Sequence, residues 1–559
     1  MREHDSWTFS RCGLKRPAVA LCAALALALT LGACTKVDRT AAASGDRHSW
    51  THPGHLIIGS AGEEPDNLNE MFAHTDAADQ LANLIYEPLF RYDPKGDFLP
   101  AAATVVPTLE NGGISKDGKT IVLHMRKGMQ WSDGEPYDAR DLVFTWRAVL
   151  NPANNVKQRT GWDDITAIDL GADNLTATLH LKQVYSGLLG IFAFGGAAYP
   201  PLPAHVLARL PDLNHAPFNT QPLSSGPFVL TKWNHGSSLE LAANEHYWRG
   251  KPGLQAITYK IVPNADTLFN ELKTHEVDVY ESMPEAQIPQ AGSVQGYTIN
   301  KQLVANYRRL EFNTARPNLS DVRVRKAVAM AIDWDRMNQT IYHGYNVRAV
   351  SDLLPGHWAA PSGITSYPYD VAAAKKLLDA AGWKADANGV RRKNGAPLAF
   401  SVSTTPSKPA NVQAEVQMQQ QLKELGVQLE IKNYPTSLLF ARDGPIYTGN
   451  FDTEFTIATN APDPDNEALW SGKFIPPHGA NTSWLDDPEL TRDSHDALLT
   501  FDRAKRKVYY QRMAERVHEL VPVVYLYWQN SFNAVNSDLK NWKPASYISN
   551  YWNAWEWTI

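Results

Sequence analysis

Residues 397–432 read PLAFSVSTTPSKPANVQAEVQMQQQLKELGVQLEIK. The run 398–403 has the length and composition of a strand. Residues 411–425 follow with helical spacing, carrying Val412, Val416, Leu422 and Leu425 as apolar positions, and Gly426 closes the helix as a C-terminal cap. A second strand run occupies 427–432. Strand, helix and strand with short joints make a βαβ unit, and that unit demands a parallel strand pair. The fold class is therefore α/β.

Working outward, 451–458 predicts another strand, 502–520 a long amphipathic helix and 523–528 a further strand, so the lobe near the C-terminus is mostly parallel. Upstream, 320–332 reads as a helix capped by Ser320 or Asp321, and 370–381 as a helix stopped by Gly382. Earlier still the pattern is mixed. Strands are expected at 55–59, 119–126 and 174–181. Helices are expected at 77–85 and at 138–150, the latter with Asp138 as its N-cap and Asn151-Pro152 ending it. A chain of 559 residues exceeds one compact core, so two or three lobes are expected. Hydrophobic content of 43% with 20% charged residues excludes disordered and collagen-like classes. The net charge of −6 argues against a nucleic acid partner.

The first 34 residues predict the compartment. Arg2, Arg11, Lys15 and Arg16 precede an apolar stretch at 18–29, too short to span a bilayer comfortably, and Leu31-Gly32-Ala33-Cys34 follows. Small residues ending in Cys after an apolar stretch are similar to a bacterial lipobox, which implies cleavage after residue 33 and lipid on Cys34. Residues 1–33 are then a lipoprotein signal peptide and 34–50 a tether. The other two cysteines, Cys12 and Cys22, leave with the signal, so the mature chain has no disulfide. A chain with no later apolar run of spanning length is anchored to the membrane without crossing it.

Motifs for chemistry are sparse. Gly113-Ile114-Ser115-Lys116-Asp117-Gly118-Lys119-Thr120 matches a P-loop letter for letter, but the residues after Thr120 alternate as a strand. A phosphate cradle needs a helix N-terminus there, so 116–119 reads as a hairpin turn. His48, His52 and His55 have metal-ligand spacing but lie beside the tether and Pro53-Gly54, which reads as a solvated linker. No H-E-x-x-H or G-x-S-x-G pattern is present. No enzyme activity and no cofactor is expected. A secreted hydrolase is the enzymatic alternative, because carboxylate pairs are not visible in sequence.

Several blocks in order carry a resemblance. They include Glu64-Pro65-Asp66-Asn67, Tyr86-Glu87-Pro88-Leu89, Ser115-Lys116-Asp117-Gly118-Lys119-Thr120, Trp131-Ser132-Asp133-Gly134, Ser225-Gly226-Pro227-Phe228, Glu311-Phe312-Asn313-Thr314, Asp321-Val322-Arg323-Val324-Arg325 and Asp463-Pro464-Asp465. The chain resembles the family 5 extracytoplasmic solute-binding proteins, the oligopeptide-, dipeptide- and nickel-binding components of ABC importers.

The resemblance implies a bilobal periplasmic-binding-protein clamp (type II, cluster C) with an inserted subdomain and a hinge of two crossings near residues 305 and 527. Lobe I would comprise 51–88, 221–305 and 528–559, with 89–220 inserted into it, and lobe II 306–527. It implies that Thr75, Asp76, Ala77 and Ala78 line the interlobe cleft, as do Ala458, Thr459 and Asn460. In peptide-binding relatives an aspartate stands at the position of Asn460 and a tryptophan at that of Ile457; the aspartate holds the ligand α-ammonium. Asp463 or Asp465 would be the substitutes here. Asp117-Gly118-Lys119, Arg323 and Arg325 read as structural. The implied partners are a peptide or another small solute (metal chelate, haem or sugar), the membrane subunits of an ABC permease, and the membrane through the lipid anchor. The protein is expected to be a monomer on the extracytoplasmic face; a sensor without transport is an alternative role.

Overall fold

The structure, a computed structural model, describes residues 47–194, 198–406, 409–547 and 549–559. The predicted signal peptide and Cys34 lie outside the described residues. The chain divides into 1–49 and the body 50–559, and everything below concerns the body. Among the described residues no helix is long and apolar enough to cross a membrane.

The βαβ unit forms as Ala399–Ser403, Pro409–Leu425 and Gln428–Ile431, with the two strands parallel. Gly426 ends the helix at φ +86°, a left-handed conformation that glycine adopts without a Cβ penalty. The helix buries Ala414, Met418, Leu422 and Leu425 against the sheet. Val416 is exposed instead. The expected face through Val412 and Val416 is therefore corrected: at 100° per residue those two valines stand well away from the Ala414–Met418–Leu422 stripe.

On the other side of Ala399–Ser403 lies Thr453–Thr459, also parallel. This trio is one end of an 11-stranded sheet. Its centre is an antiparallel pair of long strands, Tyr297–Phe312 and Val523–Asn536. Beyond them come Val279–Glu281, His55–Ser60 and Ala256–Ile261, mutually parallel, then the antiparallel Ser238–Ala243 and Phe228–Asn234. The strand expected at 523–528 runs on to Asn536, because Tyr297–Phe312 continues to offer it a partner. One apolar core packs helices Val322–Ala331, Trp334–Ile341, Val371–Ala380 and Pro409–Leu425 on one half of the sheet; another lies under the other half. The two long strands carry the chain between the halves, with a register shift between Leu303 and Tyr307.

In sequence between His55–Ser60 and Phe228–Asn234, a small antiparallel sheet of Thr120–His124, Thr176–Leu181 and Ile165–Leu170 forms, along with helix Ala139–Leu150. Asp138 caps that helix as expected, with Asp141 completing a reciprocal capping box. The P-loop lookalike is a turn: Gly118 N–H donates to the Ser115 carbonyl at 2.8 Å, and the Asp117 carboxylate accepts from Ser115 Oγ at 2.5 Å and Lys119 N at 3.1 Å. A strand, not a helix, follows. Gly226 rests directly on the Ile85–Tyr86 peptide, where a Cβ would stand 2.7 Å from backbone atoms. This contact explains the glycine in the 225–228 block.

Candidate functional site

The candidate site lies at the end of the parallel trio, where ligands of α/β sheets gather. Thr453–Thr459 pairs with Ala399–Ser403 only at Thr453 and Glu454, and then extends past it. Its other edge stays paired with the long strand as far as Thr459 opposite Asn306. From Phe455 onward, among the described residues, the first edge has no strand partner. Thr404 Oγ1 donates to the Phe455 carbonyl at 2.7 Å and so closes one position. Asn460 N–H donates to the Ala305 carbonyl at 3.0 Å. This phase turns the main-chain groups of Ala458 toward the long strand and those of Ile457 and Thr459 toward the open edge. Thr459 is exposed.

The sequence-predicted residues divide into two places. Thr75 is the N-cap of helix Asp76–Ile85, accepting from Ala78 N–H, while Asp76 is exposed and Ala77 and Ala78 are buried. Ser546 and Ser549 contact the strand end and this loop respectively. Ser549 Oγ donates to Gln80 Oε1, Ala305 N–H donates to the Ser546 carbonyl at 2.8 Å, and Gln302 Nε2 to Ser546 Oγ at 2.6 Å. At the carboxyl end of Val279–Glu281, burial pushes the Glu281 carboxyl up to about 7. The Tyr551 hydroxyl, donating to it at 2.9 Å, offsets part of that rise, and Asp76 adds to it.

The two substitutes for the amine-holding aspartate are already engaged. Asp463 forms a bidentate pair with Arg506, at 2.6 and 2.9 Å, and Arg506 also donates to the Tyr510 hydroxyl. The stripe Arg506, Tyr510, Met513, Val517 on helix Arg503–Leu520 brings that arginine inward. Asp465 accepts from the Tyr185 hydroxyl at 2.5 Å, and burial together with Asp463 raises its carboxyl above the ordinary range. Asn460 donates its side-chain amide to the main-chain carbonyl of Asp352. The neighbouring Pro462 carbonyl accepts from His357 Nε2 at 2.9 Å. Burial lowers the pKa of that histidine, and its Nδ1 accepts from Ala359 N–H, which defines the neutral tautomer. The segment 460–466 is thus pinned at each polar position that sequence reasoning had offered to a ligand amine.

Sequence reasoning missed Asp352 and Tyr185, the partners of Asn460 and Asp465. Among the described residues no cluster of three or more His, Cys, Asp or Glu is arranged to hold a metal ion; His55 hydrogen-bonds Thr258 Oγ1 at 2.8 Å. A surface depression of about 530 Å³, among Pro317, Asp321, Trp383 and Lys393, includes none of the site residues.

A mixed sheet whose halves are joined by two long strands, with an open strand edge at their junction, defines an α/β solute-binding clamp. The description "Bacterial extracellular solute-binding proteins, family 5 Middle" matches residues 104–474, and the chain belongs to this family. It is 25% identical over 529 residues to the oligopeptide-binding protein AppA of Bacillus subtilis, covering 93% of this chain and 94% of AppA. It is 25% identical over 480 residues to the nickel-binding periplasmic protein of Escherichia coli, covering 83% and 88%. In structure it resembles AppA from Bacillus subtilis bound to a nonapeptide, with a TM-score of 0.75, 24% identity and coverage of 90% and 99%. It also resembles NikZ from Campylobacter jejuni in complex with Ni(L-His), with a TM-score of 0.77, 24% identity and coverage of 91% and 100%. The protein is an extracytoplasmic solute-binding protein of the bilobal clamp type.

Proposed function

We propose that this protein captures peptides between lobes 51–88 + 221–305 + 528–559 (with 89–220 inserted) and 306–527, and delivers them to an ABC permease from a lipid anchor at Cys34. The observation that carries the peptide reading is the open edge at Ile457 and Thr459. An extended chain laid there gains main-chain hydrogen bonds regardless of its side chains, which is how strand addition recognises peptides. Ligand held between both lobes favours the closed form, and closure is the signal a permease reads.

Mass spectrometry of solute carried through purification tests the ligand class. Calorimetry then compares one synthetic peptide with its copy N-methylated at alternate residues, on each of the two phases. One phase should bind about tenfold or more weakly, because each lost main-chain hydrogen bond strands a buried partner. Recovery of a metal chelate, haem or sugar, with no peptide bound, would replace the reading. Cys34→Ser should move the protein from membrane to soluble fractions, since acyl chains supply the anchoring; retention on membranes would remove the anchor from it.

A further inference from the structure

A ladder of guanidiniums and indoles runs over the surface formed by residues 126–127, 247–251 and 552–555. The Arg126 Cζ lies 4.3 Å from the Trp248 ring centroid. The Arg249 Cζ lies 4.2 Å from Trp248 and 4.4 Å from Trp555, and Trp552 meets Trp555 edge-on at 6.4 Å. Arg249 and Lys127 are exposed; Arg126, Trp248, Trp552 and Trp555 are half-buried. The buried Glu87 fixes the ladder from beneath. It accepts from Arg91 Nη2 at 2.7 Å, and from the Tyr247 hydroxyl and Trp248 Nε1 at 3.1 Å each. Among the described residues Glu87 is also the one carboxylate within ion-pair distance of Arg249, at 3.9 Å, and those three donors already occupy it. Arg126 spends its Nε on the Ala101 carbonyl at 2.6 Å and has no carboxylate within ion-pair distance among the described residues.

Stacking holds a guanidinium by its face and leaves its N–H edge for an anion. Three lysines adjoin the ladder. Lys251 pairs with Glu245 at 3.4 Å and Lys543 with Glu556 at 2.6 Å, while Lys127 has no ion pair among the described residues. The chain as a whole carries −6, so this surface is a local exception to a field that repels anions. Its place in the fold is informative. Gly253 N–H donates to the Trp555 carbonyl at 3.4 Å, Gln255 N–H to the Gly54 carbonyl at 2.7 Å, and Gly54 N–H to the Ile559 carbonyl at 3.3 Å. Gly54 directly precedes strand His55–Ser60, so the chain that contains Cys34 joins the body beside the ladder. Glu281, with Asp76 near it, stands at the carboxyl ends of the same parallel strands, the end away from the ladder.

We propose that the surface of Arg126, Trp248, Arg249 and Trp555 docks on a bilayer through anionic phospholipid head groups. Half-buried indoles among cations are the composition of a membrane–water interface, where amphipathic rings sit at head-group level and basic side chains gain from the negative surface. An acidic protein would offer the same charge; the entry of the anchored chain beside the ladder favours the membrane. Docked in this way, the protein keeps the candidate ligand site turned away from the bilayer. The setting comes from the lipid-anchor reading of Cys34, and the test is run without the anchor so that the two fail separately.

Purified Cys34→Ser protein, which carries no acyl chain, is sedimented with phosphatidylcholine vesicles made with and without phosphatidylglycerol. This parent should pellet with the phosphatidylglycerol vesicles, stay in solution with phosphatidylcholine alone, and be released by salt. Arg126→Gln combined with Arg249→Gln should lower the partition about tenfold or more at an unchanged thermal midpoint. Lys375→Gln combined with Lys376→Gln removes the same charge from exposed positions of helix Val371–Ala380 and should leave the partition unaltered. No phosphatidylglycerol-dependent binding by the parent overturns the proposal, whether or not the variants fold. An equal loss with the lysine pair also overturns it, since total charge would then explain the attraction. If the arginine pair unfolds, Arg249→Gln alone decides: a severalfold loss supports the surface and an unchanged partition overturns it. Binding of soluble polyglutamate without vesicle binding would assign the surface to an acidic protein and overturn the lipid assignment. Each of these failures leaves Cys34 anchoring intact, because membrane fractionation of Cys34→Ser is a separate readout.

Discussion

Asn460 commits its side-chain amide to the Asp352 carbonyl, so it supports the loop instead of waiting for a ligand. Asn460→Asp would set a carboxylate against that carbonyl oxygen. We expect a loss of about 1–3 kcal/mol in urea unfolding and no new preference for a free over an acetylated peptide amine. A variant of unchanged stability that gained such a preference would show that the side chain turns to the ligand. Glu281 provides a pH test. Its carboxyl is raised to about 7 in the folded protein from an ordinary 4.5. The folded state therefore binds a proton that the unfolded state releases between these values. That contribution is fully present below pH 4.5 and is lost as pH rises through about 7. Glu281→Gln should flatten the fall in stability between pH 5 and pH 8 by on the order of 2 kcal/mol; an unaltered pH profile would contradict it. At this scale the sequence was least informative. The alternation Arg308, Leu310, Phe312 already placed an arginine on an apolar face, and that was the available signal. What the guanidinium meets is visible only once residues some hundred positions away are packed around it.

At the scale of elements, local pattern and structure agree closely. Asp138, Asp321, Asp370 and Asp502 all cap helices, because a cap requires only the next two or three N–H groups. Gly426 combines a left-handed φ with a position where a Cβ would meet the Gly389 carbonyl oxygen. Gly426→Ala should therefore cost about 2 kcal/mol or more, beyond the ~1 kcal/mol of the dihedral alone; equilibrium unfolding showing a neutral effect would refute this. The Val412–Val416 face was misread because two valines one turn apart look like a stripe, whereas the buried stripe includes the small Ala414 and the flexible Met418. Apolarity ranks valine above alanine, but close helix–sheet packing favours the smaller residue. The lookalike phosphate loop was separable in sequence, since the alternation after Thr120 is a two-residue period that no helix shares.

At the scale of the whole molecule, contacts bridge the small-sheet region and the half that carries the βαβ unit. The Tyr185 hydroxyl meets Asp465, Ser186 N–H donates to the Leu498 carbonyl at 2.8 Å, and Arg503 pairs with Asp97 at 2.8 Å. Gly161 and Gly187 leave a slot for the Tyr185 ring, where a Cβ from either would stand 2.8 Å from it. Tyr185→Phe keeps the ring in its slot and removes only the bridge. We expect severalfold weaker ligand binding with unchanged thermal stability of the ligand-free protein, because a charge-assisted hydrogen bond favours the closed form. Equal affinity in calorimetry would mean that these regions do not separate when ligand leaves.

The α/β class, the βαβ unit, the caps and the ordered family blocks were determined by the sequence alone, since each depends on periodicity or spacing over a few residues. The tertiary structure decided which of the candidate polar groups are already engaged within the protein. In sequence Asn460 stood at the amine-holding position with Asp463 or Asp465 as substitutes; Asp463, Asp465 and Asn460 are engaged by Arg506, Tyr185 and Asp352. Arg308, which no motif marked, is buried one strand in from the open edge and hydrogen-bonds Asn411, about a hundred positions away in the chain. A side chain's chemistry is local, but its hydrogen-bond partners are set by long-range packing, and in this protein that packing engages Asn460, Asp463 and Asp465 with partners the sequence did not reveal.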